Sequence, residues 1–245
     1  MNDQPKLHIF KDDTLWQEAV VKFITDVIFE TLTDQDFCSI SLSGGSTPRQ
    51  IYEKLAREGA KRGIPWDNIR LYWGDERAVA HDHIDSNYKM VREALLDHID
   101  IPEENVFPIP TPELPEKSAS VYGLKLQKAF PAEDQSFDLS LLGLGDDGHT
   151  ASIFPHTDLI HEQKSWVREV YLADKDLYRI SVTAPVINRS RYIAFLVKGA
   201  NKAPALKEVL AGEHNPDTYP AQLIRKSPNV HYFMDSDAAN LLDIQ

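Results

Sequence analysis

The sequence predicts an α/β fold: a Rossmann-like, largely parallel sheet with helices on both faces. Three observations point there. Short strand-like runs alternate with stretches of helical periodicity along the whole chain. Residues 137–142 (FDLSLL) end an apolar run typical of an interior strand. Four strand candidates end in polar or glycine-bearing turns, at residues 43–48, 74–77, 143–150 and 198–202. In open α/β sheets the ligand lies outside the carboxyl ends of the strands, so these distant turns are expected to share one rim.

Taken in order, LHIF at residues 7–10 is a short opening strand. From Asp13 the spacing turns helical, with Trp16, Ala19, Val20, Phe23, Ile24, Val27 and Ile28 on one stripe and Glu18, Lys22, Asp26 and Glu30 off it. Residues 38–43 form the next strand and run straight into SGGSTP. Pro48 suits the first helical position there, Thr47 can cap and Gln50 completes a capping box, while Ile51, Leu55 and Ala56 give the buried face. Ile69–Trp73 is a third strand, ending in Gly74-Asp75-Glu76-Arg77. A polar loop at residues 81–85 leads to Ser86, which caps a helix buried through Met90, Val91, Ala94 and Leu95. Pro102, Pro108, Pro110, Pro112 and Pro115 mark an extended connection, read as a surface loop rather than a domain boundary. Residues 179–183, 192–197 and 231–234 read as further strands, and Asn201 can cap a helix beginning at Lys202. No repeat or low-complexity tract intervenes, so residues 1–245 are expected to form a single domain.

The composition narrows the function. An apolar fraction of 42% and a charged fraction of 26% are those of an ordinary globular protein. A net charge of −12 argues against broad attraction to nucleic acid or anionic membrane, so an anionic ligand needs a local cluster of bases. Cys38 is the only cysteine; an internal disulfide is impossible, and a strand cysteine of this kind acts as a small core hydrophobe. The start, MNDQPKLHIF, lacks a signal-peptide pattern, and no apolar run is long enough to span a membrane. A cytoplasmic location is the expectation; oligomeric state stays open, a monomer included.

The chemistry concentrates in LLGLGDDGHTASIFP, residues 141–155. Gly143, Gly145 and Gly148 let the backbone turn sharply behind the strand. Asp147 and His149, two apart, can leave an extended loop on one side, and a carboxylate beside an imidazole fixes the ring's tautomer. That pair is the candidate catalytic centre. The three glycines also match a dinucleotide fingerprint, but Asp146 and Asp147 would repel a pyrophosphate and Pro155 limits any following helix. There is no Walker lysine and no G-x-S-x-G elbow, against a nucleoside triphosphatase and a serine nucleophile.

Ser43, Gly44, Gly45, Ser46 and Thr47 can cradle an oxyanion at the following helix; an ordinary glycine turn with a capped helix fits the same residues. Arg77 and Lys202 follow strand ends and are the bases best placed to supply charge; Arg179 is a third, and Arg49 reads as solvated. His81, Asp82, His83 and Asp85 have metal-ligand chemistry, but no second cluster at a ligand spacing accompanies them, so no metal is expected. Asp75 and Glu76 fit either a catalytic acid pair or acids that position Arg77.

Five ordered blocks, SGGSTPRQIYEKL, WGDERAVAHDHIDSNY, LLGLGDDGHTASIFP, RISVTAPVINRSR and VKGANKAPAL, make the chain resemble the 6-phosphogluconolactonase family over nearly its whole length. It is similar, more distantly, to glucosamine-6-phosphate deaminase. The resemblance implies a single α/β domain without cofactor that hydrolyses 6-phospho-D-glucono-1,5-lactone to 6-phosphogluconate. It also implies phosphate held by the SGGSTP loop with Arg77 and Lys202, Asp75 and Arg179 within the substrate site, and His149, oriented by Asp147, as general base. Asp146 is a departure, adding a second carboxylate beside the pair. The alternative is an amino-sugar-phosphate isomerase or deaminase with Asp75 as base and His149 in ring opening. That relative carries a ring-orienting glutamate where this chain has Phe154. A non-catalytic sugar-phosphate sensor is a third reading.

Overall fold

The structure, a computed structural model, describes residues 4–111, 114–132, 134–225 and 227–243. Its strands are β1 (Lys6–Phe10), β2 (Cys38–Leu42), β3 (Ile69–Trp73), β4 (Asp75–Arg77), β5 (Val106–Phe107), β6 (Leu139–Gly143), β7 (Val167–Leu172), β8 (Leu177–Val182), β9 (Tyr192–Val197) and β10 (Val230–Asp235). Its helices are α1 (Asp13–Thr31), α2 (Ser46–Arg62), α3 (Asn87–Ala94), α4 (Pro115–Ala129), α5 (Ala184–Ile187) and α6 (Ala203–Ala211). Seven strands form one sheet in the order β1-β10-β9-β6-β2-β3-β5, every neighbouring pair parallel. Every residue of β2 is buried, which requires cover on both faces of the sheet.

The chain winds outward from β2 through β3 to β5, and from β6 through β9 to β10, so the winding reverses between β2 and β6. That is a topological switch point, where adjacent connections leave for opposite sides and open a crevice at the carboxyl ends. The β2–β6 ladder has only two rungs, Ile40↔Leu139 and Ser41↔Ser140, although β2 continues to Leu42 and β6 to Gly143. The loops holding SGGST and GDDGH therefore leave from either lip of the crevice.

Some local expectations need correction. α2 begins at Ser46 with Gly45 at the N-cap, and no side chain caps it, so Thr47 lies inside the helix. Gly45 has φ 106°, a backbone that residues with a Cβ rarely adopt. Asn201 is not a cap: Ala200–Lys202 is a 3-10 turn, and α6 starts at Ala203. The proline-rich connection is more than surface loop, since it contributes β5 to the sheet edge and buries Ile109; Pro112 lies outside the described residues. Gly74–Arg77, read as a turn, contains β4, which joins β8 and β7 in a second, antiparallel sheet.

Candidate active site

A cleft of about 240 Å³ at the crevice is lined by Ser43, Gly44, Gly45, Ser46, Thr47, Asp75, Arg77, His149, Arg179 and Lys202. These sequence-selected residues are thus brought together, with Asp147 touching the wall through His149. A larger hollow, about 670 Å³, lies at the opposite, amino ends of β2 and β6 and contains none of them.

On one lip, Tyr52 from α2 braces the cradle: its hydroxyl accepts the Ser43 amide at 3.0 Å and donates to the Ser43 carbonyl at 2.8 Å. No side chain caps α2, and its first turn carries the hydroxyls of Ser46 and Thr47 beside the cleft. The helix offers unpaired N–H groups and the positive end of its dipole to the cleft.

On the other lip, Gly145 N–H donates to the His149 carbonyl at 2.8 Å, closing the loop tightly. His149 Nδ1 lies 2.5 Å from Asp147 Oδ1. A Cβ at residue 145 would fall 2.1 Å from His149 Nδ1 and 2.3 Å from Asp147 Oδ1, so glycine is required for the pair to fit. Burial opposes ionisation of Asp147, but hydrogen bonding to His149 and its charge outweigh that and bring the carboxyl down to about 2. An ionised carboxylate only accepts, so Nδ1 carries the hydrogen and Nε2 the lone pair. Phe154 stacks on the imidazole with centroids 4.1 Å apart and planes 26° apart. Ala151, next but one to His149, has φ 49°, a strained conformation for a residue with a Cβ. Asp146 is exposed and is not among the residues lining the cleft.

The floor is the small antiparallel sheet. Asp75 pairs with Ser181 and Arg77 with Arg179, so these four share one face while Glu76 and Ile180 take the other. Asp75 is buried; it accepts from Ser152 Oγ at 2.6 Å and from Asn87 Nδ2 at 3.4 Å. Arg179 is held below its ordinary pKa by burial, with Asp75 opposing the effect and Arg77 adding to it; its Nε is buried without a partner among the described residues. Placing two guanidiniums directly opposite is unfavourable unless an anion sits between them. Arg179 was the weakest basic candidate in the sequence, yet it lies well inside β8 and reaches the cleft.

Glu76 has a different role. Its carboxylate accepts the amides of Arg77, Asn87 and Tyr88, each at 2.7 Å, and the Ser86 hydroxyl at 3.1 Å, anchoring the start of α3. Burial raises its pKa, with those amides opposing. His81 Nε2 is 2.8 Å from the Ile109 carbonyl, and His83 pairs loosely with Asp85 at 3.6 Å. Among the described residues no three His, Cys, Asp or Glu side chains converge as a metal would need. Arg49 is ion-paired with Glu53 at the surface.

Among the lining or supporting residues that escaped the sequence reading are Asn87, Ser152 and Lys198. Lys198 is tied by its ammonium to Asp13, and to Gln50 at 3.2 Å, which leaves Lys202 as the cleft lysine without a partner among the described residues. Each escaped residue lies inside a motif that stood out, but nothing in its type distinguished it from packing.

A switch-point crevice with a glycine-rich loop and helix start on one lip and a histidine–carboxylate pair on the other defines the class, a Rossmann-like α/β protein with its cleft at the carboxyl ends of a parallel sheet. Residues 11–232 match the family described as glucosamine-6-phosphate isomerases/6-phosphogluconolactonase, and the chain belongs to that family. It is 40% identical over 243 residues to a 6-phosphogluconolactonase of Synechocystis sp., covering 97% of this chain and 98% of the relative. It is 36% identical over 228 residues to that of Haemophilus influenzae, covering 92% and 96%. The solved 6-phosphogluconolactonase from Thermotoga maritima superposes with TM-score 0.83 at 31% identity, covering 95% of this chain and all of that one (100%). The Trypanosoma brucei enzyme gives 0.85 at 30%, covering 98% and 99%. A monomeric glucosamine-6-phosphate deaminase shares the fold, with TM-score 0.84 at 22% identity.

Proposed function

We infer that this chain hydrolyses 6-phospho-D-glucono-1,5-lactone to 6-phosphogluconate, with His149 as general base. Relatives bearing the 6-phosphogluconolactonase name at up to 40% identity over almost the whole chain support the reaction. The observation that carries the mechanism is the Asp147–His149 contact at 2.5 Å beside the anion cradle. Ser43, Gly44, Gly45, Ser46 and Thr47, with Arg77, Arg179 and Lys202, hold the phosphate, and Asp75 neutralises part of the arginine charge. Phosphate anchored at one end of the sugar sets the lactone carbonyl over the base. Nε2 takes a proton from water as its oxygen bonds to the carbonyl carbon; the imidazolium then returns a proton to the ring oxygen as the C–O bond breaks. Asp147 remains ionised and holds Nδ1–H throughout. The enzyme acts as a single domain in the cytoplasm, with no nucleic acid or membrane partner.

The test is a coupled assay with fresh lactone, corrected for spontaneous hydrolysis. His149→Ala should nearly abolish turnover while 6-phosphogluconate still binds, and Arg77→Ala should mainly raise KM. Near-normal turnover by the His149 variant removes the base assignment. Ammonia release from glucosamine 6-phosphate would favour the deaminase alternative; Phe154, with no carboxylate to orient the ring, supports the lactonase.

A further inference from the structure

Asn87 opens α3, is 1% exposed and lines the cleft. Helix capping does not explain its carboxamide, because Ser86 Oγ caps α3 by accepting the Lys89 amide and Glu76 accepts the backbone amide of Asn87. The carboxamide works on the anion wall instead. Its Nδ2 donates to the Asp75 carbonyl at 2.9 Å, and its Oδ1 accepts from Arg77 Nη1 at 2.6 Å. Arg77 Nη1 also donates to the Asp85 carbonyl at 2.9 Å, so that nitrogen is fully committed. No hydrogen bond among the described residues occupies Arg77 Nε or Nη2, the edge a phosphate would meet in bidentate fashion.

We propose that Asn87 is the positioning residue that aims Arg77 at the substrate phosphate, seated against the cradle at Gly44. A Cβ at residue 44 would lie 1.8 Å from Asn87 Oδ1, so cradle and carboxamide are in direct contact. One amide thereby sets the spacing between the loop and the guanidinium. It also restrains Arg77 beside Arg179, its like-charged partner on the β4–β8 rung, which would otherwise push it away. The assignment rests on the phosphate-site reading above and goes beyond it by naming what orients that site.

The experiment measures Asn87→Ala, Asn87→Ser and Arg77→Ala on 6-phosphogluconolactone and on unphosphorylated glucono-1,5-lactone. Asn87→Ala should raise KM for the phosphorylated lactone about tenfold or more, the scale of a lost hydrogen bond to a charged group. Its kcat should stay within about twofold, and inhibition by 6-phosphogluconate should weaken by the same factor as KM. Preference for the phosphorylated over the unphosphorylated lactone should fall in parallel, which a general loss of structure would not produce. Asn87→Ser, too short to bridge Arg77 and Asp75, should behave alike and stands in if the alanine variant does not fold. Wild-type KM in both Asn87 variants alongside a raised KM in Arg77→Ala overturns this proposal alone. Equal losses on both lactones also overturn it. Wild-type KM in Arg77→Ala overturns the phosphate reading beneath it.

Discussion

Acid should destabilise the β1 edge of the sheet through one histidine pair, by an amount that can be worked out. His231 on β10 is 6% exposed, and its Nδ1 lies 3.1 Å from His8 Nε2 on β1. Phe23 packs on the His231 ring at 4.3 Å, and His231 Nε2 is buried without a partner among the described residues. Burial, then the charges of His8 and Lys6, push His231 from 6.5 to about 4; burial and Lys6 lower His8 as well. As pH falls, the unfolded chain takes up this proton near 6.5 while the folded chain refuses it until about 4. The native state is therefore unpenalised above the first value, loses stability between the two, and levels off below the second. At pH 5 these two values imply a loss of about 2 kcal/mol for His231, or about 4–8 °C in Tm for a chain of this size. His231→Phe keeps an aromatic ring in the cluster and removes the titration. Calorimetry of both proteins at pH 8 and pH 5 isolates the effect, because acid responses elsewhere in the chain cancel in the difference. The wild type should lose about 4–8 °C more than the variant on acidification. Equal losses would refute the assignment.

Two further outcomes follow from the site's construction. Gly145→Ala places a methyl 2.1 Å from His149 Nδ1, so the proposed catalytic pair must shift. We expect kcat to fall about a hundredfold with circular dichroism unchanged, the cost of misplacing a base by about an ångström, and normal kcat would detach the pair from catalysis. Glu76→Gln turns one acceptor oxygen of a buried carboxylate into a donor facing N–H groups. It should lower stability by about 1–3 kcal/mol, read as a shift in urea midpoint, whereas an unchanged midpoint would mean that Glu76 does not anchor α3.

The parallel sheet was legible because its central strands are mostly apolar runs and its turns carry Gly, Pro and Ser, signals that need no tertiary information. The cradle and the Asp147–His149 pair were legible for the same reason, since both lie within one turn after a strand. Of the small antiparallel sheet only β8 was, read as a strand at residues 179–183. β4 is only Asp-Glu-Arg, with no apolar residue to alternate, and β7 buries Val167, Val170 and Leu172 at spacings of three and two, which matches neither period cleanly. The roles of Asp75 and Glu76 follow from that missed strand. Once Asp-Glu-Arg is a strand, alternation sends Asp75 and Arg77 to the cleft and Glu76 to α3, so the two acids do not face the cleft side by side. The capping box at Thr47 failed because Gly45, at φ 106°, starts the helix earlier than a side-chain cap would.

The Arg77–Arg179 rung also bears on how a chain of net charge −12 would hold the anion of the proposed reaction. Distant surface charge acts through water and salt and is largely screened beyond about 10 Å, so the repulsion of the whole molecule reaches the cleft only weakly. Inside the cleft the balance is local. Arg179 is desolvated, with a buried Nε that has no partner among the described residues, and Asp75 opposes the effect of burial only in part. A dianion placed between the guanidiniums supplies the missing acceptors and removes the like-charge repulsion in one step, which a neutral sugar cannot do. In the proposed reading, discrimination for the phosphorylated substrate therefore originates in this local arrangement of like charges, held in place by the strand register, Glu76 and Asn87.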